Sequence, residues 1–175
     1  MSSLDELYRQ VILDHYRNPR HRGTLSGPHV HAEGLNPSCG DEFSIDIQIE
    51  DGVITDARIQ GQGCSISQAS GSMMTDTIIG TTIEDARGLT TTFKLMMGID
   101  EGDDPLDPER PGAVLGDLEA LQGVRKFPVR IKCADLPWTT LTEWTWWRVS
   151  LAWRPTETLP TEEASWTETG RTTQT

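Results

Sequence analysis

The chain has 175 residues, enough for one domain with a buried core. It carries 27 acidic against 15 basic residues, and the net charge of −12 argues against nucleic acid or an anionic membrane as a partner. No apolar run approaches the roughly 20 residues of a membrane-spanning helix, and the first residues lack the pattern of a signal peptide. We therefore expect a cytoplasmic protein.

The first predicted element is a helix whose apolar residues repeat at helical spacing from Leu4 to His15. Asn18 should end this helix, because the residue before Pro19 avoids the α-helical conformation. Several basic side chains follow between residues 17 and 22. They either complement the negative end of the helix dipole, which we favour, or form a docking patch for an acidic partner.

A β-hairpin is predicted in the middle of the chain. Apolar and polar residues alternate from Phe43 to Ile49, and Asp51-Gly52 is a typical two-residue turn. The return strand runs from Val53 to Gln60. Residues 23–35, ahead of the hairpin, are predicted to form a loop. The two glycines of residues 61–63 should let the backbone pass close to another group.

Two helices are predicted after the hairpin. The first begins with Ser65 as its cap and ends at Gly80, and the second begins within residues 81–84. An acidic, proline-containing surface loop is predicted over residues 100–112. A short helix should follow, with Leu118 on its apolar face.

The last core helix is predicted to begin near Asp135. Proline is tolerated in the first turn of a helix but not deep inside it, which would place Pro137 in that first turn. Cys133 would then lie just before a helix N-terminus.

The three cysteines are the main candidates for chemistry. Cys39 lies in the turn of residues 36–41, Cys64 follows the glycines, and Cys133 follows two basic residues. An odd number of widely separated thiols in a reducing compartment favours metal or thiol chemistry over disulfides. Together with the carboxylate of Asp41, the thiols make a tetrahedral set for a divalent metal such as zinc. The alternative, three small buried hydrophobic residues, is disfavoured because glycine, proline or basic residues flank each cysteine.

The neighbours of each thiol support the same interpretation. Gly40 allows the turn to fold back, so that Cys39 and Asp41 can point at one place. Cys64 at a helix N-terminus faces the positive end of the dipole, which favours a thiolate. Arg130 and Lys132 add positive charge beside the third thiol and should favour its thiolate as well.

Three motifs resemble one known family. They are Asn-Pro-x-Cys-Gly-Asp at 36–41, Gly-x-Gly-Cys-x-Ile-Ser-x-Ala-Ser at 61–70, and Arg-x-Lys-Cys-Ala-x-Leu-x-Trp at 130–138. In this order they resemble the SufU-type branch of the IscU/NifU N-terminal iron–sulfur cluster assembly proteins, over about residues 4–143. Two features favour that branch: the insertion before the last cysteine, and Lys132 where IscU scaffolds carry a histidine.

The resemblance implies an α+β fold, with a small antiparallel β-sheet packed against several α-helices, and a surface zinc site. The implied ligands are Cys39, Asp41, Cys64 and Cys133, with Gly40, Arg130 and Lys132 as supporting residues. SufU-like proteins accept persulfide sulfur from a cysteine desulfurase of the SufS type. They pass this sulfur towards iron–sulfur cluster assembly, so a downstream SUF scaffold or apo-proteins are implied as further partners.

Our hypothesis for the mechanism is that desulfurase docking displaces one metal ligand and frees a thiolate that attacks the donor persulfide. Cys39 is our choice of acceptor because it lies on the glycine-flanked turn, and Cys133 is the second choice. One alternative is a scaffold on which a [2Fe–2S] cluster is assembled. Another is a structural zinc module without chemistry.

The composition changes at residue 144, so we predict a domain over residues 1–143 and a separate tail over 144–175. Apolar and polar residues alternate from Trp147 to Trp153, which would suit an edge strand, an oligomer contact or an extension. Residues 154–175 are rich in Thr, Glu and Pro and are predicted to be disordered. We assign the tail no function.

Overall fold

A computed structural model describes the backbone of residues 3–149 and the side chains of residues 3–143. Its elements are, in chain order, α1 (Ser3–Arg17), β1 (Val30–Asn36), β2 (Asp41–Glu50), β3 (Val53–Gln62), α2 (Ser65–Ile78), α3 (Ile83–Met97), a 3-10 helix (Gly116–Lys126) and α4 (Pro128–Val149). A three-stranded sheet packs against several helices, so the predicted α+β fold is confirmed.

The sheet is antiparallel with strand order β1-β2-β3. The alternating residues Phe43, Ile45 and Ile47 of the central strand are all buried, as the pattern predicted. The turn between β2 and β3 uses Asp51 and Gly52, whose φ angles of 50° and 77° are those of a tight hairpin turn. The predicted hairpin is therefore confirmed.

The predicted loop over residues 23–35 is wrong for its second half, where β1 runs along β2 from Val30↔Ile47 to Asn36↔Asp41. This edge strand has few strongly apolar residues, and tertiary contacts decide its conformation. Gly34 shows the constraint, because a Cβ at this position would overlap with Oγ1 of Thr140 on α4. A larger residue there would require the side chain of Thr140 to move.

The start of α4 differs from its prediction. The helix begins at Pro128, not near Asp135, and therefore Cys133 lies inside it. Phe127 adopts φ −126° and ψ 88°, as expected for a residue before proline, and Pro128 occupies the first turn. Pro137 lies within the helix and has no N–H to donate to the carbonyl of Cys133.

The starts of the other two helices can be compared with their predicted caps. The cap of α2 is Cys64 rather than Ser65, so the predicted capping box is wrong by one residue. The cap of α3 is Thr82, within the predicted start of this helix, and its side chain accepts a hydrogen bond from the backbone N–H of Asp85. Cys64 at the N-terminus of α2 agrees with the sequence analysis.

The core is closed by α4. Trp138 is fully buried and stacks on Phe93 of α3 with ring centroids 4.5 Å apart. Its indole N–H donates to Oγ of Ser70 on α2, and this hydroxyl donates to the carbonyl of Ala134. One tryptophan therefore joins three helices just beyond the turn of α4 that carries Cys133.

Among the residues described, no helix is both long and apolar enough to cross a membrane. Helix α4 continues past residue 143 to Val149, so residues 147–149 are helical and do not start the suggested edge strand. The rest of that segment and the predicted disordered tail at 154–175 lie outside the described residues.

We predict that Trp138→Ala lowers the free energy of unfolding of the metal-free chain by about 3–5 kcal/mol, because it empties a buried ring site. Urea denaturation followed by far-ultraviolet circular dichroism measures this change. Leu7→Ala, on the exposed side of α1, should stay within about 0.5 kcal/mol of the wild type. A loss below about 1 kcal/mol for Trp138→Ala would contradict this view of the core.

Candidate metal centre

The first thiol of the candidate site lies on the turn between β1 and β2. The carbonyl of Asn36 accepts hydrogen bonds from the backbone N–H groups of Cys39 (3.3 Å) and Gly40 (2.8 Å). Gly40 has a φ of 71°, which glycine adopts without strain. The turn leaves Cys39 exposed at its tip, and Asp41 begins β2 directly after it.

Asp41 links this turn to the N-terminus of α2. Its Oδ1 accepts a hydrogen bond of 3.0 Å from the backbone N–H of Cys64, and its Oδ2 lies 3.5 Å from the Cys64 Sγ. The carboxylate therefore accepts the N–H of the cap residue itself, as the second side chain of a capping box does, although it comes from a strand. Gly63 makes this possible, since a Cβ there would lie 2.7 Å from Asp41 Oδ1.

The third thiol comes from the second turn of α4. Cys133 is fully buried, and its Sγ lies 3.5 Å from the Sγ of Cys39. The backbone segments that carry these two thiols are 94 residues apart in sequence. The fold therefore brings together cysteines that no local motif connects.

The donor set fits a tetrahedral divalent metal. One ligand atom from each of Cys39, Asp41 and Cys133 lies within 4.8 Å of the other two. Two thiolates on a tetrahedral zinc, each about 2.3 Å from the ion, are about 3.8 Å apart. The observed separation of 3.5 Å between Cys39 and Cys133 is close to that value. Cys64 lies outside this tight group, but its Sγ is 3.5 Å from Oδ2 of Asp41.

The surroundings of Asp41 favour the ionised form of its carboxyl group. Burial by itself would raise the pKa of this carboxyl group, but hydrogen bonds from Cys39, Cys64 and Ser67 outweigh it. The net result is a pKa below the usual range of an aspartate. The carboxylate is therefore ionised at neutral pH and available to a cation.

Cys133 behaves differently from the sequence-based expectation. Burial, followed by a hydrogen bond with Cys39 and the nearby charge of Cys64, raises the pKa of the Cys133 thiol strongly. The expected effect of Arg130 and Lys132, a favoured thiolate, is therefore wrong for the chain without a metal. Desolvation of a buried thiolate outweighs the two exposed cations.

The two basic residues lie in different places. Arg130 lies beside the sulfur atoms of Cys64 and Cys133, and their charges raise the pKa of its guanidinium group. Lys132 lines a cavity between α4 and the turn of residues 35–38. Of the two, only Arg130 is placed to interact with the thiols.

Sequence analysis assigned no role to two residues that shape the site. Ser67 donates from its hydroxyl to the carbonyl of Cys64, and its Oγ lies 3.8 Å from the Cys64 Sγ. Asn36 holds the Cys39 turn through its backbone carbonyl. Both belong to the quoted motifs, but only the folded chain shows what they contact.

Comparison with known proteins identifies the family of this chain. The NifU-like N-terminal domain model matches residues 7–134. The zinc-dependent sulfurtransferase SufU of Bacillus subtilis (strain 168) is 49% identical over 140 residues, which cover 80% of this chain and 90% of that protein. The iron–sulfur cluster assembly scaffold protein IscU of Streptococcus pyogenes serotype M1 is 43% identical over 144 residues, covering 82% and 85%.

Solved structures show the same fold. A putative iron–sulfur cluster assembly scaffold protein for the SUF system from Fervidobacterium islandicum AW-1 superposes with a TM-score of 0.68 at 33% identity, covering 81% of this chain and 98% of that one. The N-terminal part of a NifU-like protein from Brucella abortus gives a TM-score of 0.67 at 25% identity, with coverage of 81% and 94%. The chain therefore belongs to the NifU-like N-terminal domain family of SufU- and IscU-type iron–sulfur cluster assembly proteins.

Proposed function

We propose that this protein is a zinc-dependent sulfur acceptor, which takes persulfide sulfur from a SufS-type cysteine desulfurase for iron–sulfur cluster assembly. The observation that carries the proposal is an exposed thiol, Cys39, held 3.5 Å from a second thiol beside an ionised carboxylate. The name of the Bacillus subtilis relative, a zinc-dependent sulfurtransferase, supports it at 49% identity.

The proposed ligands are Cys39, Asp41, Cys64 and Cys133. A bound zinc ion would supply positive charge that keeps the thiols deprotonated near neutral pH. This effect is needed most at Cys133, whose burial opposes ionisation. Asp41 adds a harder oxygen ligand, which is more easily exchanged than a fourth thiolate.

Cys39 is the proposed sulfur acceptor because it is the exposed thiol. Cys64 is half-buried and Cys133 is fully buried, so neither offers a large donor protein the same access. The turn that carries Cys39 has exposed residues from Pro37 to Gly40. Cys133, the second choice of the sequence analysis, is therefore less suited to this role.

The proposed chemistry is thiol exchange. The Cys39 thiolate attacks the terminal sulfur of the donor persulfide, forming a new S–S bond while the bond to the donor cysteine breaks. The electron pair of the broken bond leaves with the donor cysteine as a thiolate, and the transferred sulfur keeps its proton. Cys39 then carries the persulfide, which a downstream SUF scaffold or an apo-protein receives.

The alternative function is a scaffold for a [2Fe–2S] cluster. It is favoured by the Streptococcus pyogenes relative, an iron–sulfur cluster assembly scaffold protein at 43% identity, and by a ligand set rich in thiolates. Lys132 next to the last cysteine disfavours it, since this side chain cannot replace a histidine ligand. The third possibility, a zinc module without chemistry, gives no reason for an exposed ligand thiol.

Metal analysis after anaerobic purification tests the proposal. We expect about one zinc per chain, no acid-labile sulfide, and faster desulfurase turnover when the protein is added. Chelation of the zinc should remove the stimulation, and restored zinc should return it. Iron with an equal amount of sulfide and a visible chromophore would instead support the scaffold.

Cys39→Ser should reduce sulfur acceptance to the background level, because the attacking thiolate is gone. Single-turnover transfer from a persulfide-loaded desulfurase, with the sulfur located by peptide mass spectrometry, measures this. Ser38→Ala, on the same exposed turn, is the matched control and should accept sulfur normally. Full acceptance by Cys39→Ser would move the acceptor role to another thiol.

Asp41→Ala should release zinc to a chelator at least about tenfold faster and alter the stimulation of the desulfurase, because an oxygen ligand is lost. It also removes the acceptor for the Cys64 N–H, at a cost of about 1 kcal/mol of stability.

Asp41→Asn separates the two effects, since its amide oxygen can still accept that hydrogen bond. It should release zinc as fast as Asp41→Ala, while the metal-free chain keeps its stability. Loss of the fold in both variants, with little change in zinc release, would indicate a structural zinc module.

A further inference from the structure

Asp46 is a buried carboxylate that lies further along β2 than the proposed ligand Asp41. Only 6% of the residue is exposed, and strand alternation places its side chain on the opposite face of the sheet from Ile45 and Ile47. A buried carboxylate needs hydrogen-bond donors and a compensating charge. The groups around Asp46 supply both.

The loop of residues 23–29 supplies the first donor. The backbone N–H of Gly23 donates to the carbonyl of Ile59 on β3, over 3.0 Å. The backbone N–H of Leu25 then donates to Oδ2 of Asp46 on β2, over 3.2 Å. Strand β1, at the other edge of the sheet, begins directly after this loop. The loop therefore crosses this face of the sheet from β3 to β1, and Asp46 holds its middle.

The second donor is the imidazole ring of His31 on β1. His31 is the register partner of Asp46, and its Nδ1 lies 2.6 Å from Asp46 Oδ1. The other ring nitrogen, Nε2, lies 3.0 Å from Oε1 of Glu33. An ionised carboxylate only accepts hydrogen bonds, so the ring satisfies both contacts only with a proton on each nitrogen. The geometry therefore selects the imidazolium form of His31.

We propose that protonated His31 is a pH-dependent clasp, which strengthens the attachment of the edge strand β1 to Asp46 and weakens it when the ring loses a proton. A neutral ring keeps one N–H, so it donates to only one of the two carboxylates and brings no charge to Asp46. The clasp lies towards one end of β1, and Asn36, whose carbonyl holds the Cys39 turn, lies at the other. Alkaline pH therefore loosens the strand from which this turn extends.

The two carboxylates determine the direction of the effect. Burial by itself would lower the pKa of His31, but hydrogen bonds with Asp46 and Glu33, together with their charges, outweigh it. The pKa of His31 is therefore raised above its ordinary value of 6.5. Because the folded chain has the higher pKa, the stabilisation is complete below about pH 6.5 and is lost as the pH rises through the folded-state pKa.

Two further basic side chains face Asp46 from other elements. His29, in the loop, has its Nε2 3.7 Å from Asp46 Oδ1. Arg58, on β3, is the register partner of Asp46, but its guanidinium group donates to Asp56 over 3.0 Å. Of the two histidines, His31 is thus the one within hydrogen-bond distance of Asp46.

NMR titration of the imidazole C–H signals tests the clasp in the full-length, zinc-loaded chain, with His31→Gln used to assign the signal. We expect His31 to titrate with a pKa above 6.5. Asp46→Asn should lower this pKa because the charge of the carboxylate is lost, while its amide oxygen can still accept the N–H of Leu25. A wild-type pKa of His31 at or below 6.5 would overturn the clasp.

Amide hydrogen exchange of residues 30–36, followed by mass spectrometry of peptic peptides, measures the hold on β1. At pH 6.0 the wild type should exchange about threefold more slowly than His31→Gln, as expected for one charge-assisted hydrogen bond at a half-exposed ring. The two rates should converge towards pH 8.5, where the wild-type ring becomes neutral. A peptide from α3 should show no such difference between the two chains.

His29→Gln is the matched control, because its ring lies beyond hydrogen-bond distance of Asp46. It should keep the slow exchange of residues 30–36 at pH 6.0. Equal rates for the wild type and His31→Gln at that pH would disprove the clasp. So would a loss of protection in His29→Gln as large as that in His31→Gln. Neither measurement depends on sulfur transfer, so a failure of the proposed function would leave the clasp standing.

Discussion

The hydrogen bond from the Cys64 N–H to the Asp41 carboxylate is the constraint on which the site depends. It joins the start of β2 to the N-terminus of α2, and so it fixes two of the proposed ligands relative to each other. Gly63 leaves room for this contact, and Ser67 closes the first turn of the helix around it. The carboxylate of Asp41 therefore has two roles. It connects a strand to a helix, and it supplies the negative charge at the proposed metal site.

Much of the site could be predicted from sequence because its chemistry is carried by short motifs. The sequence motifs predicted that Cys39 and Asp41 lie on one turn. They also predicted that Cys64 lies at the start of a helix, as the structure shows. The β2–β3 hairpin was equally accessible, since alternation and the Asp-Gly turn are local signals. These features could be predicted because each depends only on residues that are close together in the sequence.

The errors have a common physical cause. Two prolines competed for the first turn of α4, and a local rule could not decide that Pro128, rather than Pro137, occupies it. Strand β1 is defined by its pairing with β2 and by the space that Gly34 leaves for Thr140, which no pattern in 30–36 reveals. The ionisation of Cys133 was misjudged because neighbouring charges are visible in a sequence and burial is not.

Pro137 interrupts the main-chain hydrogen bonding of α4. Without the N–H of this residue, one main-chain hydrogen bond fewer joins the turn that carries Cys133 to the turn that carries Trp138. The segment after the proline is anchored in the core by the stacked indole ring, whereas the segment before it ends at the surface. The part of α4 that carries Cys133 is therefore joined to the anchored part by fewer main-chain hydrogen bonds than an uninterrupted helix would provide.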